Sequence, residues 1–288
     1  LISIIASDMD GTLLNDKMEI SPENIAAIKK AQAAGIEFIV ATGRGLSEAQ
    51  PLLRQAGLDP AYITLTGAQV FDTTGQLVVN EPLTNELAQQ LAHELKAQNF
   101  YFELVTNQGV YSESKVRRIQ NVADLLVNLN PDTTYKIAVA LAAARLEIMN
   151  INYVEHYEQI LDDPDFQIMK ILVFSPDGPD IFDSIRQKYS QHSDIVITSS
   201  SPNNIEINSI KAQKGLALLD YAQQKGIAAD AIMAIGDNLN DYSMITAAGV
   251  GVAMENAIPA IKQVATFTTA TNIGNGVAQA IEWALAQE

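Results

Sequence analysis

The chain contains no cysteine. Disulfides and thiolate metal sites are therefore excluded, and a reducing cytoplasm is the expected compartment. Cations are scarce as well: 18 Lys and Arg stand against 34 Asp and Glu, a formal net charge of -16. That field opposes general binding to nucleic acid and to anionic membranes. It opposes phosphate groups too, so any phosphate site has to bring its own local cations. No apolar run is long enough to span a bilayer. No basic leader precedes the apolar start of the chain, so no signal peptide is expected. The histidines, His93, His156 and His192, lie far apart without ligand spacing and are expected at the surface. Gly43-Arg44-Gly45 is not a dinucleotide fingerprint, because Glu48 stands where its third glycine would be. No internal repeat, charge block or low-complexity tract is present. What remains is 288 residues, 48% of them hydrophobic, enough for one large or two ordinary domains.

Strand and helix signals alternate at both ends of the chain. Leu1 to Ala6 is an apolar run of strand length that stops at Asp8 and Asp10, with Gly11 turning the chain. Ser21-Pro22 opens a helix, serine as cap and proline in the first turn, and Gly35 ends it. Ile36 to Ala41 is a second buried strand, ending on Thr42-Gly43-Arg44. A helix over Ser47 to Ala56 leads to a third strand, Tyr62 to Leu65, ending on Thr66-Gly67-Ala68. The rhythm is that of a parallel α/β sheet. It breaks near Pro82. Hairpin signals at 70–79 and 100–111, a helix over Asn85 to Gln98, a strand over Gln167 to Phe174, and strands at Ile195–Ile197 and Ile205–Ile207 joined by a Ser/Pro/Asn turn read as α+β; residues 112–165 read as mostly helical or irregular. The parallel rhythm returns with a helix from Lys214 to Gln224 and a strand from Ala231 to Ile235 that ends on Gly236-Asp237-Asn238-Leu239-Asn240-Asp241. The expected organisation is an α/β core over 1–83 and 209–288, with an α+β domain over 84–208 inserted and linkers near Pro82 and Asn208.

Ligands of open parallel sheets bind beyond the carboxyl ends of the strands. Asp8 and Asp10, Thr42, and Asp237 all follow strand ends, and Lys214 starts a helix. Each alone has a plain reading: an Asp-Gly turn with solvated acids, a loop with an exposed Arg44, a surface lysine with Lys211 a rival nearby, a polar first helical turn at Asp241. Together they compose one chemistry. Asp8 could attack a phosphoryl phosphorus. Mg²⁺ held by Asp8, Asp237 and the backbone carbonyl of Asp10 would neutralise charge on nucleophile and phosphate. Thr42 and Lys214 could bind the phosphoryl oxygens. Asp10 could protonate the leaving oxygen and then activate water.

Four stretches, Asp8-Met9-Asp10-Gly11-Thr12, Ala41-Thr42-Gly43-Arg44, Lys214-Gly215 and Gly236 to Asp241, resemble in order and wide spacing the motifs of the haloacid dehalogenase-like superfamily. More narrowly, they resemble its Cof-type phosphatases with a type-IIB cap. The resemblance spans nearly the whole chain. It implies a Rossmann-like core of strand order 3-2-1-4-5, with Asp8 and Asp237 at the switch point, and a cap that moves over the site on the two linkers. It implies that the Met9 amide, Gly43 and Asn240 touch phosphate and that Asp241 supports the metal site. Arg44 and Thr66 are candidate substrate contacts. Thr66-Gly67-Ala68 stands for the usual Asn-Gly-Ala, Asn275-Gly276-Val277 for Asp-Gly-Val with Asn275 expected to cap the last helix, and Glu255 for a frequent glycine.

The function expected is a Mg²⁺-dependent phosphatase acting on a small phosphorylated metabolite, a sugar phosphate or similar. A phosphomutase of the same superfamily shares this core and is the nearest alternative. A sensor that binds sugar phosphates without catalysis would not need the second acid, Asp10, and neither would a dehalogenase.

Overall fold

The computed structural model describes residues 1–129, 132–146 and 150–287. The chain divides into two compact units, Leu1–Glu81 with Lys211–Glu288, and Pro82–Ile210.

The first unit opens with β1, Ile4–Ser7, whose residues are all buried. Leu1 is solvent-exposed and pairing with the neighbouring strand starts at Ser3, so β1 begins later than the apolar run. In α1, Pro22–Ala33, the Ser21 hydroxyl accepts the Asn24 amide and Ala27, Ile28 and Ala31 form the buried face. There follow β2 (Glu37–Ala41), α2 (Leu46–Gln55) and β3 (Ala61–Thr64). The hairpin β4 (Gln69–Phe71) and β5 (Leu77–Asn80) adds two antiparallel strands to the sheet edge.

The second unit comprises α3 (Asn85–Ala97), β6 (Tyr101–Thr106), β7 (Gly109–Ser112), α4 (Lys115–Leu129), α5 (Tyr135–Leu146), β8 (Ile151–Tyr153), α6 (Glu158–Leu161), β9 (Ile168–Phe174), α7 (Asp183–Tyr189), β10 (Ile195–Thr198) and β11 (Asn204–Ser209). Its six strands run in the order β10-β11-β9-β6-β7-β8, antiparallel except for β7 and β8. The patternless stretch 112–165 thus holds α4, α5, β8 and α6; positions 130, 131 and 147–149 within it lie outside the described residues. One sheet face is apolar, with Phe102, Leu104, Ile171, Val173, Ile205 and Ile207 in one core cluster with Leu87, Leu91 and Ile185. Tyr101, Phe102 and Tyr111 are packing residues: Tyr101 is buried, Phe102 stacks on Tyr157 at 4.7 Å and Tyr111 meets Phe166 edge-on at 5.3 Å. The second unit ends at Ile210, close to Asn208, which itself is buried within β11 opposite Val196 and Lys170.

The first unit resumes with α8 (Lys214–Gln224), β12 (Ile232–Gly236), α9 (Tyr242–Ala247), β13 (Val250–Ala253), α10 (Pro259–Val264), β14 (Phe267–Thr268) and α11 (Gly276–Leu285). Asn275 precedes α11 in left-handed conformation (φ 60°) and its side chain makes no capping bond, contrary to expectation. Asparagine serves there because it tolerates that conformation. The eight-stranded sheet runs β14-β13-β12-β1-β2-β3-β4-β5, parallel from β14 to β3. Its strands read as near-continuous apolar runs because helices cover both faces. From β1 the chain moves to β2 on one side, and from β12 to β13 on the other, so the order reverses between them. A crevice at such a reversal is where ligands bind.

Candidate active site

The register Ser7 to Ile235 brings the ends of β1 and β12 level, so Asp8 and Asp237 follow adjacent strands. Gly11 turns the chain at φ 80°, and a Cβ there would stand 2.7 Å from Asp237 Oδ2. Glycine is thus required both by the turn and by the approach of the acid. Thr12 donates its hydroxyl to Asp237 Oδ1 at 2.8 Å.

Lys214 is fully buried, and its ammonium donates to Asp8 Oδ1 and to Asp241 Oδ1, both at 2.6 Å. Lys211, by contrast, is exposed and lies 4.0 Å from Glu81. Asp241 accepts the backbone amides of Asp237 (2.9 Å) and Asn238 (3.0 Å) on its other oxygen. Oxygens of Asp8, Asp237 and Asp241 come within 4.8 Å of one another. Burial raises the Asp8 carboxyl well above its ordinary value; Asp241 adds to this and Lys214 opposes it. Burial, then Asp241, lifts Asp237 to about 6. Burial alone would lower the Lys214 pKa, but the charges of Asp241 and Asp8 outweigh it and raise it. Three buried carboxylates therefore share a single ammonium. Oxygen donors and an uncompensated negative charge fit a hard divalent cation.

Thr42 follows β2, is buried, and accepts the Arg44 amide at 3.1 Å on its hydroxyl. Asn240 is buried in the 3-10 turn Leu239–Asp241 after β12. The Met9 side chain belongs to the core, and Thr66 is buried with φ 62°. The Asp10 side chain is not in the acidic cluster; it is exposed and paired with Arg44. His93 and His156 are exposed and His192 is half-buried. His156 lies with Glu113 and Glu158, but the Lys96 ammonium already sits 2.6 Å from Glu113 and 3.3 Å from Glu158. Sequence reasoning missed the Asp10–Arg44 pair and Thr12, whose hydroxyl in the Asp-Gly-Thr run was the available signal.

A family model for haloacid dehalogenase-like hydrolases matches residues 5–281. The chain belongs to that family. Phosphatase YwpJ of Bacillus subtilis (strain 168) is 33% identical over 279 residues, covering 96% of this chain and 98% of that protein. The 5-amino-6-(5-phospho-D-ribitylamino)uracil phosphatase YwtE of the same organism is 35% identical, covering 96% of each. The solved structure of a haloacid dehalogenase-like hydrolase from B. subtilis, 32% identical, superposes with a TM-score of 0.86 and covers 98% of this chain and 99% of its own. Within the haloacid dehalogenase-like hydrolases the protein is of the Cof type, and it is a phosphatase, a hydrolase of phosphoric monoesters. The acidic cluster is compatible with the divalent metal that such phosphatases use. Among the described residues no helix is long and apolar enough to cross a membrane.

Proposed function

We propose that this phosphatase hydrolyses a small phosphorylated metabolite, a sugar phosphate or similar, through an aspartyl-phosphate on Asp8 and with Mg²⁺ as cofactor. The observation that carries the reading is the excess of buried carboxylate over ammonium where β1 and β12 end. Asp8, Asp237 and the Asp10 backbone carbonyl would hold the ion, with Asp241 behind them. When bound, it neutralises charge on the nucleophile and the phosphoryl group.

An Asp8 oxygen forms a bond to phosphorus as the bond to the leaving oxygen breaks. Asp10 gives its proton to that oxygen. Asp10 then takes a proton from water, whose oxygen attacks phosphorus, and the bond to Asp8 breaks to release inorganic phosphate and restore the carboxylate. Of three ammonium donors on Lys214, two are placed on Asp8 and Asp241. The third is assigned to a phosphoryl oxygen, with the Thr42 hydroxyl, Gly43, Asn240 and the Met9 amide. Lys214 thus orients the nucleophile and supplies the local cation that a chain of charge -16 otherwise lacks. We assign the inserted unit, 82–210, the role of the cap that sets substrate choice.

The relative named for a ribitylamino-uracil phosphate makes phosphorylated sugar alcohols part of the substrate panel. Released phosphate is measured over sugar, ribityl and pyridoxal phosphates with Mg²⁺ and after chelation. Release that depends on Mg²⁺ is expected. An isomerised product without phosphate release, or full activity after chelation, contradicts the reading.

A further inference from the structure

Arg44 donates through Nε to Asp10 Oδ2 at 2.8 Å and through Nη2 to Asp10 Oδ1 at 2.6 Å. Both carboxylate oxygens sit in one planar fork, which fixes orientation as well as distance. Each oxygen keeps a second lone pair for a proton. The pair is partly exposed, and exposed ion pairs add little stability. Its consequence is placement. The backbone behind the fork is itself held: the Arg44 amide donates to Thr42 Oγ1, the Arg44 carbonyl accepts the Leu65 amide at 3.0 Å, and the Thr42 carbonyl accepts the Thr66 amide at 3.0 Å. Leu65 and Thr66 make these bonds in the left-handed region, at φ 50° and 62°. Two successive non-glycine residues in that region are costly and persist only where their surroundings over-determine them. The next residue, Gly67, lies so close to the Gln213 backbone that a Cβ would stand 2.4 Å from it. One strained turn therefore joins the Thr42–Arg44 loop to the start of α8, where Lys214 sits.

We propose that Arg44 is a positioning residue for Asp10: its fork orients the carboxylate that exchanges protons with the leaving group and with water, and the Leu65–Thr66 turn fixes the fork. The proposal rests on the proton-transfer role given to Asp10 above. It also differs from a contact to substrate, which would act on binding of all substrates alike.

The test compares p-nitrophenyl phosphate with phenyl phosphate, two substrates of similar shape whose leaving groups differ in their need for a proton. kcat/KM, which reports the first chemical step, is measured with Mg²⁺ for the wild type, Arg44→Ala, Arg44→Lys and Asp10→Asn. Asp10→Asn is expected to lose far more on phenyl phosphate than on p-nitrophenyl phosphate. Arg44→Ala is expected to lose in the same sense, with about 10-fold more loss on phenyl phosphate, since misplacement of a reacting group costs up to about 10²-fold. Arg44→Lys, which keeps the charge without the fork, should recover part of it and serves as the folded variant if the alanine protein is unstable. Equal losses on both substrates in the Arg44 variants, or a rise in KM alone, overturn the positioning role while leaving Asp10 its own. Equal losses in Asp10→Asn overturn the role of Asp10 and the clamp together.

Discussion

Both units of this phosphatase bury charge, and they do it differently. In the inserted unit the buried charges come in pairs. Lys170 and Glu206 meet at 3.1 Å across β9 and β11, and Arg118 and Glu103 meet at 3.2 Å, with the Tyr101 hydroxyl also donating to Glu103 at 2.7 Å. Burial raises the Glu103 pKa, and Arg118 and Tyr101 oppose it. In the core unit, among the described residues, the Lys214 ammonium meets Asp8 and Asp241, and the third buried acid, Asp237, accepts a hydroxyl from Thr12 and pairs with no cation of its own. A buried pair is close to neutral for stability, whereas an uncompensated buried charge is expensive. The balanced set is complete in itself. The unbalanced set is incomplete without a further cation, and that incompleteness marks the site.

The largest effect is expected at Asp8. Asp8→Asn removes the charge of the attacking oxygen and one acid of the excess, so activity should fall to background with no phosphoenzyme formed. Asp10→Asn lies outside the excess and should fail differently. It is expected to lose about 10²–10⁴-fold on sugar phosphates, yet to show a phosphoenzyme burst and then a stall with p-nitrophenyl phosphate in rapid quench. Equal inertness of the two variants would contradict the division of labour. The next effect concerns the lysines. Lys214→Met and Lys170→Met each strand buried carboxylate, and breaking such a set costs about 3–5 kcal/mol. Mg²⁺ should restore denaturation midpoints only for the Lys214 variant, because only that cluster offers several acids to one ion. Restoration of both, or of neither, erases the difference between the units.

The smallest expected effect is on pH. The Asp237 carboxyl is lifted from 3.8 to about 6, so across that window the folded protein keeps a proton that the unfolded chain has released. Stability is therefore intact below the lower value and is lost as pH rises to about 6. Asp8 shifts in the same direction. The loss is on the order of 3 kcal/mol at about 1.4 kcal/mol per pH unit. Metal-stripped wild type should lose it relative to Asp237→Asn in urea melts between pH 4 and pH 7, and parallel profiles would contradict the assignment.

The parallel elements were legible because each is a short apolar run closed by a turn or a cap, as at Ile36–Ala41 and Lys214–Gln224. The acids that follow those runs were legible for the same reason: strand ends in a parallel sheet converge whatever their separation along the chain. α5 was not, since its sequence is apolar nearly all round and offers no period. The strands at Ile195–Ile197 and Ile205–Ile207 were legible from their apolar residues, whereas the buried polar Asn204 and Asn208 extend β11 past the apolar signal. The Arg44–Asp10 fork joins positions 34 residues apart, and the turn behind it uses Leu65 and Thr66 in a conformation that their side chains do not announce.

The charge excess in the core unit is tested most directly by isothermal titration of metal-stripped protein with Mg²⁺ at pH 7.5. One ion per chain should bind the wild type, with binding lost in Asp237→Asn and retained in Lys170→Met. Equal binding by wild type and Asp237→Asn, or none by either, would contradict it.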